Sequence, residues 1–358
     1  MEKIKDFIYN NIAYIALYNS IIALFGYILM TFDDLNYTLL EIIGYIKFDH
    51  INLSYFNTRL FNFPHHLFRD FATFTEVFTP LFYIILLVAA ILHIISKKRE
   101  HRLLQLGMSI TFLSTLLMAL FFIFGMVYIF SDDNYRYMLQ AAGTSKIVLL
   151  GILQIVKYFV LISICYIYLK KSGQNAEFVA IPEEHQETIY LRDSQHKLKY
   201  IRAGKGVRFL NYLIDTIIII LIFSPILMKE LRSVSVNFEY YLGERISVYV
   251  LFMINGLLYY GIFEGLFRTT PAKYLTSSAV TGYSTLKVKG LQIFGRTFSR
   301  RIPFNALSFF GEFGWHDMFS ETTVSHYKTD NKYKNTVTAI LITAALIVII
   351  VMLLNIMR

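Results

Sequence analysis

Two acidic residues lie inside apolar stretches of the chain, where a charge is costly. Asp215 follows Arg208 by seven residues and Asn211 by four, so one helix face carries all three polar side chains. Glu264 lies in the next apolar stretch, one residue before Gly265. An aspartate at the centre of a membrane helix costs about 2.5–3.5 kcal/mol on insertion scales, so it needs a partner, water or a proton. Carboxylates placed in this way are typical of cation or proton relay.

Glycines next to the second acid predict how the two helices meet. Gly261 and Gly265 form a small-residue surface on which a neighbouring helix can approach closely. We expect the helix of Asp215 to pack there, so that its polar face and Glu264 form one shared site. The alternative is that these charges only lock the two helices together.

Three further sets of residues carry possible chemistry. Lys157 is the third charge inside an apolar stretch, and we expect it to face an outward cavity or a polar partner in the first three spans. His316 and Asp317 could form an acid/base pair, but residues adjacent in sequence favour a structural turn instead. The His65–His66 pair lies in a surface loop, where metal ligation is less expected than simple exposure. We therefore predict no metal site and no cofactor.

Composition places the helices that carry these residues in a membrane. The chain has 358 residues, of which 56% are hydrophobic and only 16% charged, whereas soluble domains carry about 25% charged residues. A span needs roughly 20 apolar residues to cross about 30 Å of hydrocarbon. We predict an all-α polytopic transmembrane bundle, because helices satisfy their own backbone groups in lipid. The seven predicted spans are 7–31, 78–96, 103–130, 147–169, 208–228, 249–267 and 337–357.

The distribution of basic residues predicts the orientation. With the N-terminus in the cytoplasm, 24 of the 34 Lys and Arg residues fall in inside segments, nine in outside segments and Lys157 within a span. This bias places the C-terminus outside. It also explains the net charge of +9 without nucleic acid as a partner. The single cysteine, Cys165, excludes an intrachain disulfide and is predicted to be a small buried residue.

The spans and the loops between them divide the chain into four regions. The first holds four spans, the second is a polar cytoplasmic linker, the third is a second membrane region, and the fourth is the last span. Their bounds are 1–169, 170–207, 208–336 and 337–358.

The cytoplasmic segment 268–336 contains two predicted elements. Alternation over 275–289, around a Thr-Gly-Tyr-Ser turn, favours a short β-hairpin. The basic run 296–301 and the apolar residues 303–315 that follow predict an amphipathic or re-entrant element at the inner surface. Anchoring to anionic lipid headgroups would by itself account for these arginines.

Arg208, Asp215 and Asp317 stand in motifs that occur in a set order. The first two lie in RFLNYLID and the third in WHDMFSETTV, with FEGLFRTTPAKYLT between them. Over about 200–326 this set resembles the RDD family of bacterial membrane proteins, named for one arginine and two aspartates. Ala272 stands where the family usually has glycine, which argues against a left-handed turn there. The resemblance implies supporting roles for Thr270, Pro271, Lys273, Arg300, His316 and Thr322.

These observations favour two classes of function. The first is transport of a cation, a proton or a small solute through intramembrane carboxylates, which the resemblance also implies. The alternative is a non-catalytic scaffold or accessory subunit that binds a membrane protein partner. An enzyme is not expected, because the chain has no Gly-x-Ser-x-Gly and no His-Glu-x-x-His motif. The expected location is the bacterial cytoplasmic membrane, in contact with the lipid bilayer and its anionic headgroups.

Overall fold

The computed structural model describes residues 2–30, 71–131, 144–185, 188–191, 194–220, 240–283, 285–300 and 314–356. Within these ranges the chain is mostly helical. The α-helices are α1 Glu2–Met30, α2 Phe71–Ile95, α3 Arg102–Ser131, α4 Thr144–Gln174, α5 Lys205–Ile218, α6 Glu244–Phe267, α7 Pro271–Leu275, α8 Gly290–Ser299, α9 Trp315–Ser320 and α10 Lys334–Ile356. The strands are β1 Thr188–Leu191, β2 Ser194–Lys197, β3 Ser278–Gly282 and β4 Thr322–His326.

Four helices are long and apolar enough to cross a membrane. They contain the stretches Glu2–Gly26, Arg102–Phe124, Gly151–Gln174 and Tyr249–Phe267. Two shorter apolar stretches, Pro80–Ile95 and Lys334–Ile347, lie in α2 and α10. These helices are compatible with the predicted helical membrane protein, and length and composition support four of its spans.

The fifth predicted span, 208–228, begins within α5. A π-helical turn at residues 219–220 continues the helix, and residues 221–228 lie outside the described part of the chain. The polar face predicted for this helix is observed, since its buried side chains are Arg208, Asn211, Asp215 and Ile218. The side chains between them are partly or fully exposed, and apart from Tyr212 and Thr216 they are apolar, as suits contact with lipid.

The apolar core joins the first four helices to α6. Phe112 of α3 packs edge-on against Phe263 and Phe267 of α6, with ring centroids 6.3 and 5.2 Å apart. Cys165 of α4 belongs to the same core and is buried, as predicted. This packing fixes the end of α6 that carries Glu264.

A buried ion pair ties the turn between α2 and α3. Arg102 Nε donates to Glu100 Oε1 at 3.0 Å, and the Glu100 N–H donates to Ser96 Oγ at 3.0 Å. The Glu100 carbonyl oxygen lies 2.8 Å from His93 Nδ1. The turn therefore fixes the start of α3, the helix against which α7 packs.

Strand β3 pairs with a distant strand rather than with a neighbour. It lies antiparallel to β4, in a register that runs from Ser278↔His326 to Gly282↔Thr322. The predicted local hairpin over 275–289 is therefore wrong. After β3 the chain continues to α8, and β3 also bonds to β4 through side-chain hydroxyl groups. Thr281 Oγ1, for example, lies 2.7 Å from Ser325 Oγ.

The region predicted as a linker, 170–207, binds to β4 through its backbone. Arg202 forms an antiparallel bridge with Ser325, and the Ala203 N–H donates to the Val324 carbonyl at 2.8 Å. Within the same region β1 and β2 pair as an antiparallel hairpin. These bonds tie the start of α5 to β4.

Gly261 and Gly265 do not provide the packing surface for α5 that the sequence predicted. A Cβ atom added to either glycine would meet no described residue within 4 Å other than its own helix. The two glycines instead border an open apolar groove of about 400 Å³ between α6 and α8. Helix α5 meets α6 through the larger side chain of Tyr259, whose hydroxyl bonds Asp215.

Replacing Gly265 with alanine is expected to preserve the fold and to raise the free energy of unfolding by about 0.5–1 kcal/mol. The added methyl has room, and glycine is the less favourable residue inside a helix. The matched change Gly107→Ala should destabilise the protein, because its Cβ would lie 2.6 Å from Leu86 Cδ1. Thermal unfolding of both variants in detergent measures the difference. A loss of stability in Gly265→Ala would mean that the groove is closed in the folded protein.

Candidate functional site

Among the described residues, seven charged side chains meet where α5, α6, α7, α8 and α9 converge. Each is withdrawn from solvent, with at most 8% of its side chain exposed. Burial of charges on this scale costs several kcal/mol per ion unless partners compensate them. The members of this buried charged centre are Arg208, Asp215, Glu264, Lys273, Arg296, Arg300 and Asp317.

A tight reversal after α6 brings α7 back to the centre. Arg268 ends α6 in the left-handed conformation, with φ 61°, and its N–H donates to the Glu264 carbonyl at 3.0 Å. Thr270 then caps α7, and Pro271 occupies the first turn, where its missing N–H is not needed. This reversal places Lys273 beside the Glu264 carboxylate.

Three cations surround Glu264. Lys273 Nζ and Arg300 Nη2 both donate to its Oε1, the latter at 2.8 Å, and Arg296 Nε lies 3.2 Å from Oε2. Arg300 also stacks on the ring of Tyr260, 3.9 Å from the centroid. These three cations stabilise the ionised form of the Glu264 carboxylate.

Asp317 is held in a similar way by two arginines. Arg296 Nη1 donates to Asp317 Oδ1 and, at 2.9 Å, to Thr322 Oγ1. Arg208 Nη1 lies 3.6 Å from Asp317 Oδ2. His316 Nε2 is also 3.6 Å from Asp317, which is beyond hydrogen-bond range. The carboxylate is thus committed to arginine, which favours the structural interpretation of the His-Asp pair over an acid/base role.

Asp215 is held by neutral groups. Tyr259 Oη donates to its Oδ1 at 2.8 Å, Thr270 Oγ1 donates to its Oδ2 at 2.7 Å, and the Ala272 N–H lies 3.3 Å from Oδ1. Within the described ranges no cation lies at ion-pair distance from it. Ala272 is in α7, and its backbone is not left-handed. This position therefore needs no glycine for a left-handed turn.

Asn211 links α5 to the strand region. Its amide nitrogen donates to Ser278 Oγ at 3.2 Å, and its carbonyl oxygen accepts from Thr276 Oγ1 at 2.7 Å. The amide thus satisfies both of its functions inside the protein. These bonds hold the face of α5 on which Asp215 lies.

A cavity of about 20 Å³ lies at the middle of the charged centre. A water molecule needs roughly 10–15 Å³ measured in this way, so the cavity has room for one small occupant. Asp215 borders the cavity, whereas Glu264 and Asp317 do not. The remaining lining residues are Arg208, Asn211, Tyr212, Tyr260, Lys273, Arg296, Arg300, His316 and Val324.

Lys273 and His316, which both line the cavity, have lowered pKa values. Burial lowers the pKa of Lys273 to about 8, because desolvation together with the nearby Arg300 and Arg296 outweighs the attraction of Glu264. Burial and the same two arginines hold the pKa of His316 well below its usual value. At neutral pH His316 is therefore uncharged, and Lys273 is the lining cation that releases its proton most readily.

The lowered pKa of Lys273 predicts that its contribution to stability rises with pH. An unfolded lysine keeps its proton to about pH 10.4, so between about pH 8 and 10 the unfolded chain binds more protons than the folded one. The free energy of unfolding should then rise by up to about 1.4 kcal/mol per pH unit from this group. Thermal unfolding at pH 7 and 9.5 should show this rise relative to Lys273→Met. The surface control Lys289→Met should rise as the wild type does, and an equal response in all three would contradict the assignment.

The structure brings most of the predicted site residues to one place. Around the charged centre lie Arg208, Asn211, Asp215, Glu264, Asp317, Thr270, Pro271, Lys273, Arg300, His316 and Thr322. Lys157 is apart from them: it is half-buried on α4 and does not line the cavity. The His65–His66 pair lies outside the described residues.

Sequence reasoning missed the role of Arg296. Its side chain is fully buried and bridges Glu264 and Asp317. The expectation that the arginines of this run anchor anionic lipid is wrong for Arg296 and Arg300, since both are paired inside the protein. A signal was present: Arg296 lies on the same face of α8 as Ile293 and Thr297, which are also buried. On a lipid-anchoring helix this arginine would lie on the exposed face.

No family model, no curated protein and no solved structure matches this chain.

Proposed function

We propose that this chain is a multi-pass membrane transporter that resembles the RDD family and uses Asp215 as its proton-binding group. One observation carries the proposal. Among the three carboxylates of the charged centre, Asp215 alone borders the cavity and is held by hydroxyl and amide groups. The other two are paired with arginines.

This difference in partners supports different roles. A carboxylate paired with arginine leaves a buried charge behind if it takes up a proton. The hydroxyls of Tyr259 and Thr270 can donate to an ionised Asp215 and can also accept from a protonated one. Both protonation states of Asp215 can thus be satisfied, as a proton carrier requires.

The lining of the cavity argues against a metal cation as the transported solute. Arg208, Lys273, Arg296 and Arg300 all border it, with Asp215 as the opposing charge. A metal cation in the cavity would be repelled by these four positive groups. We infer that the chain moves a proton, together with a small solute that is not a metal cation.

The proposal includes a topology. We infer seven spans with the N-terminus in the cytoplasm and the C-terminus outside, in the cytoplasmic membrane of a bacterium. The basic-residue bias supports this orientation. Exposed apolar side chains along α4, among them Ile152, Val156 and Phe159, suit contact with lipid.

Cysteine labelling in cells is expected to place residues 241 and 289 on opposite sides of the membrane. The background is Cys165→Ser, which removes the single native thiol. A membrane-impermeant maleimide should label Tyr241→Cys in intact cells and Lys289→Cys only after permeabilisation. Both native residues are exposed. Labelling of both positions from outside would contradict the topology.

Transport is tested with purified protein in liposomes that contain a pH-sensitive dye. Gradients of candidate salts are imposed one at a time. For at least one salt, the internal pH should change faster in liposomes with the protein than in liposomes without it. Protein-free liposomes give the leak rate. A response equal to the leak for every salt, in protein shown to be folded, would rule against proton-coupled transport of those solutes.

A non-catalytic scaffold remains the second candidate, and Glu264 favours it. Three cations around one buried carboxylate form a rigid lock that joins α6, α7 and the end of α8. A scaffold predicts a stable partner that copurifies from native membranes in fixed ratio. Recovery of the chain alone, as one monodisperse species, would rule against it.

A further inference from the structure

In the part of the chain that the structure describes, the charged centre holds one more cation than it has carboxylates. Among the described residues its cations are Arg208, Lys273, Arg296 and Arg300, and its carboxylates are Asp215, Glu264 and Asp317. His316 adds no charge at neutral pH, since its pKa is lowered by burial. A buried charge without compensation is strongly unfavourable. The described residues of the centre therefore carry a net charge of about one positive unit.

Two arginines that line the cavity each have a buried N–H group without a hydrogen-bond acceptor among the described residues. Arg296 Nη2 and Arg300 Nε are buried, and neither has a hydrogen-bond partner within the described part of the chain. Both residues border the cavity. Buried polar groups are nearly always satisfied by protein, water or an ion, and the cavity that both arginines border has room for an occupant that accepts hydrogen bonds from them.

The size and wall of the cavity limit what that occupant is. About 20 Å³ holds one small particle, not an organic molecule. Four lining cations against one lining carboxylate favour a negative charge, and the excess of one positive unit favours a single charge. Water satisfies the donors but leaves the charge uncompensated.

We propose that this cavity binds one small monovalent inorganic anion, such as chloride, between Arg296, Arg300 and Lys273. The inference goes beyond the proposed function, because the site exists whether or not the chain transports anything. It also assigns Asp215 a second effect: its negative charge opposes the anion, so loss of that charge strengthens binding.

One rival explanation uses no anion. Lys273 can release its proton, which lowers the net charge of the centre to zero; its pKa of about 8 makes this accessible near neutral pH. The two explanations differ in their response to chloride. Neutralisation by an anion depends on chloride concentration at fixed pH, whereas neutralisation by Lys273 depends on pH alone.

The experiment measures thermal unfolding of the purified full chain at pH 7 in sodium chloride and in sodium gluconate of equal ionic strength. Chloride and bromide should raise the unfolding temperature with a saturable dependence, and equilibrium dialysis with radioactive chloride should give one ion per chain. Asp215→Asn should lower the apparent Kd about tenfold, equivalent to about 1.4 kcal/mol. Lys273→Met should remove the chloride response, whereas the surface control Lys289→Met should keep it.

The outcomes separate this site from the proposed transport. If Asp215→Asn loses proton flux and binds chloride more tightly, both the transport proposal and the anion site are supported. Equal unfolding temperatures in chloride and gluconate for the wild type and for Asp215→Asn, with no bound chloride in dialysis, would overturn the anion site and leave the flux result unaffected. This comparison does not depend on Lys273→Met, so it stands if that variant fails to fold.

Discussion

Asp215→Asn is expected to reduce proton flux in liposomes at least tenfold, to the leak rate, while the protein still folds. Asparagine has the shape of aspartate, so Tyr259 and Thr270 keep a polar partner, but an amide cannot bind and release a proton near neutral pH. The measured quantity is the protein-dependent response of an internal pH dye. The matched control is Asp330→Asn, which changes a surface aspartate that lies 3.9 Å from Arg99.

The control should transport at the wild-type rate. Unfolding temperatures of both variants separate a loss of function from a loss of fold. If Asp215→Asn moves protons as fast as Asp330→Asn does, Asp215 takes no part in transport. Its neutral partners would then only hold the fold together, as the cations around Glu264 do.

Glu264→Gln is expected to lower the free energy of unfolding by about 3–5 kcal/mol. The change leaves Lys273, Arg296 and Arg300 without the carboxylate that neutralises them, and removal of one partner from a buried ion pair is destabilising by this amount. Unfolding in detergent, followed by temperature or denaturant, measures the loss. The control is Glu177→Gln, which breaks an exposed pair with Lys328 at 3.4 Å and should cost less than about 1 kcal/mol.

A double variant tests whether charge balance is the cause. Glu264→Gln with Lys273→Met removes one negative and one positive group, and it should recover part of the lost stability. If the double variant is less stable than Glu264→Gln alone, repulsion among the cations is not what destabilises the single variant. Equal stability of Glu264→Gln and Glu177→Gln would contradict the three-cation arrangement itself.

The helical elements of the fold were predictable because lipid allows few alternatives. Apolar runs of about 20 residues predict helices directly, and four of the predicted spans coincide with helices that are long and apolar enough to cross. The polar face of α5 was also predictable, since its spacing follows the helical period. The pairing of β3 was not, because alternation identifies a strand without naming its partner. β4 lies 44 residues further along the chain, from Ser278 to Thr322.

Within the site, the sequence identified the acids better than the bases. Asp215 and Glu264 stand out because a carboxylate in an apolar run has no simple explanation. Arg296 lies in a basic run, where a surface role is the ordinary interpretation, and only the apolar and small residues on its own helix face suggest burial. The prediction that α5 packs on Gly261 and Gly265 was wrong because small-residue spacing does not identify which helix comes close. In the structure both glycines border an open groove.

Difference infrared spectroscopy across a pH step measures most directly whether Asp215 binds a proton. The protein, in lipid, is stepped from about pH 9 to about pH 6 while the carbonyl stretch of protonated carboxyl groups is recorded. This range lies above the pKa of about 4 at which exposed carboxylates take up protons. A band should appear on acidification in the wild type and in Asp330→Asn, and it should be absent in Asp215→Asn. If the band persists unchanged in Asp215→Asn, another group takes up the proton, and Asp215 is not the proton-binding group of this protein.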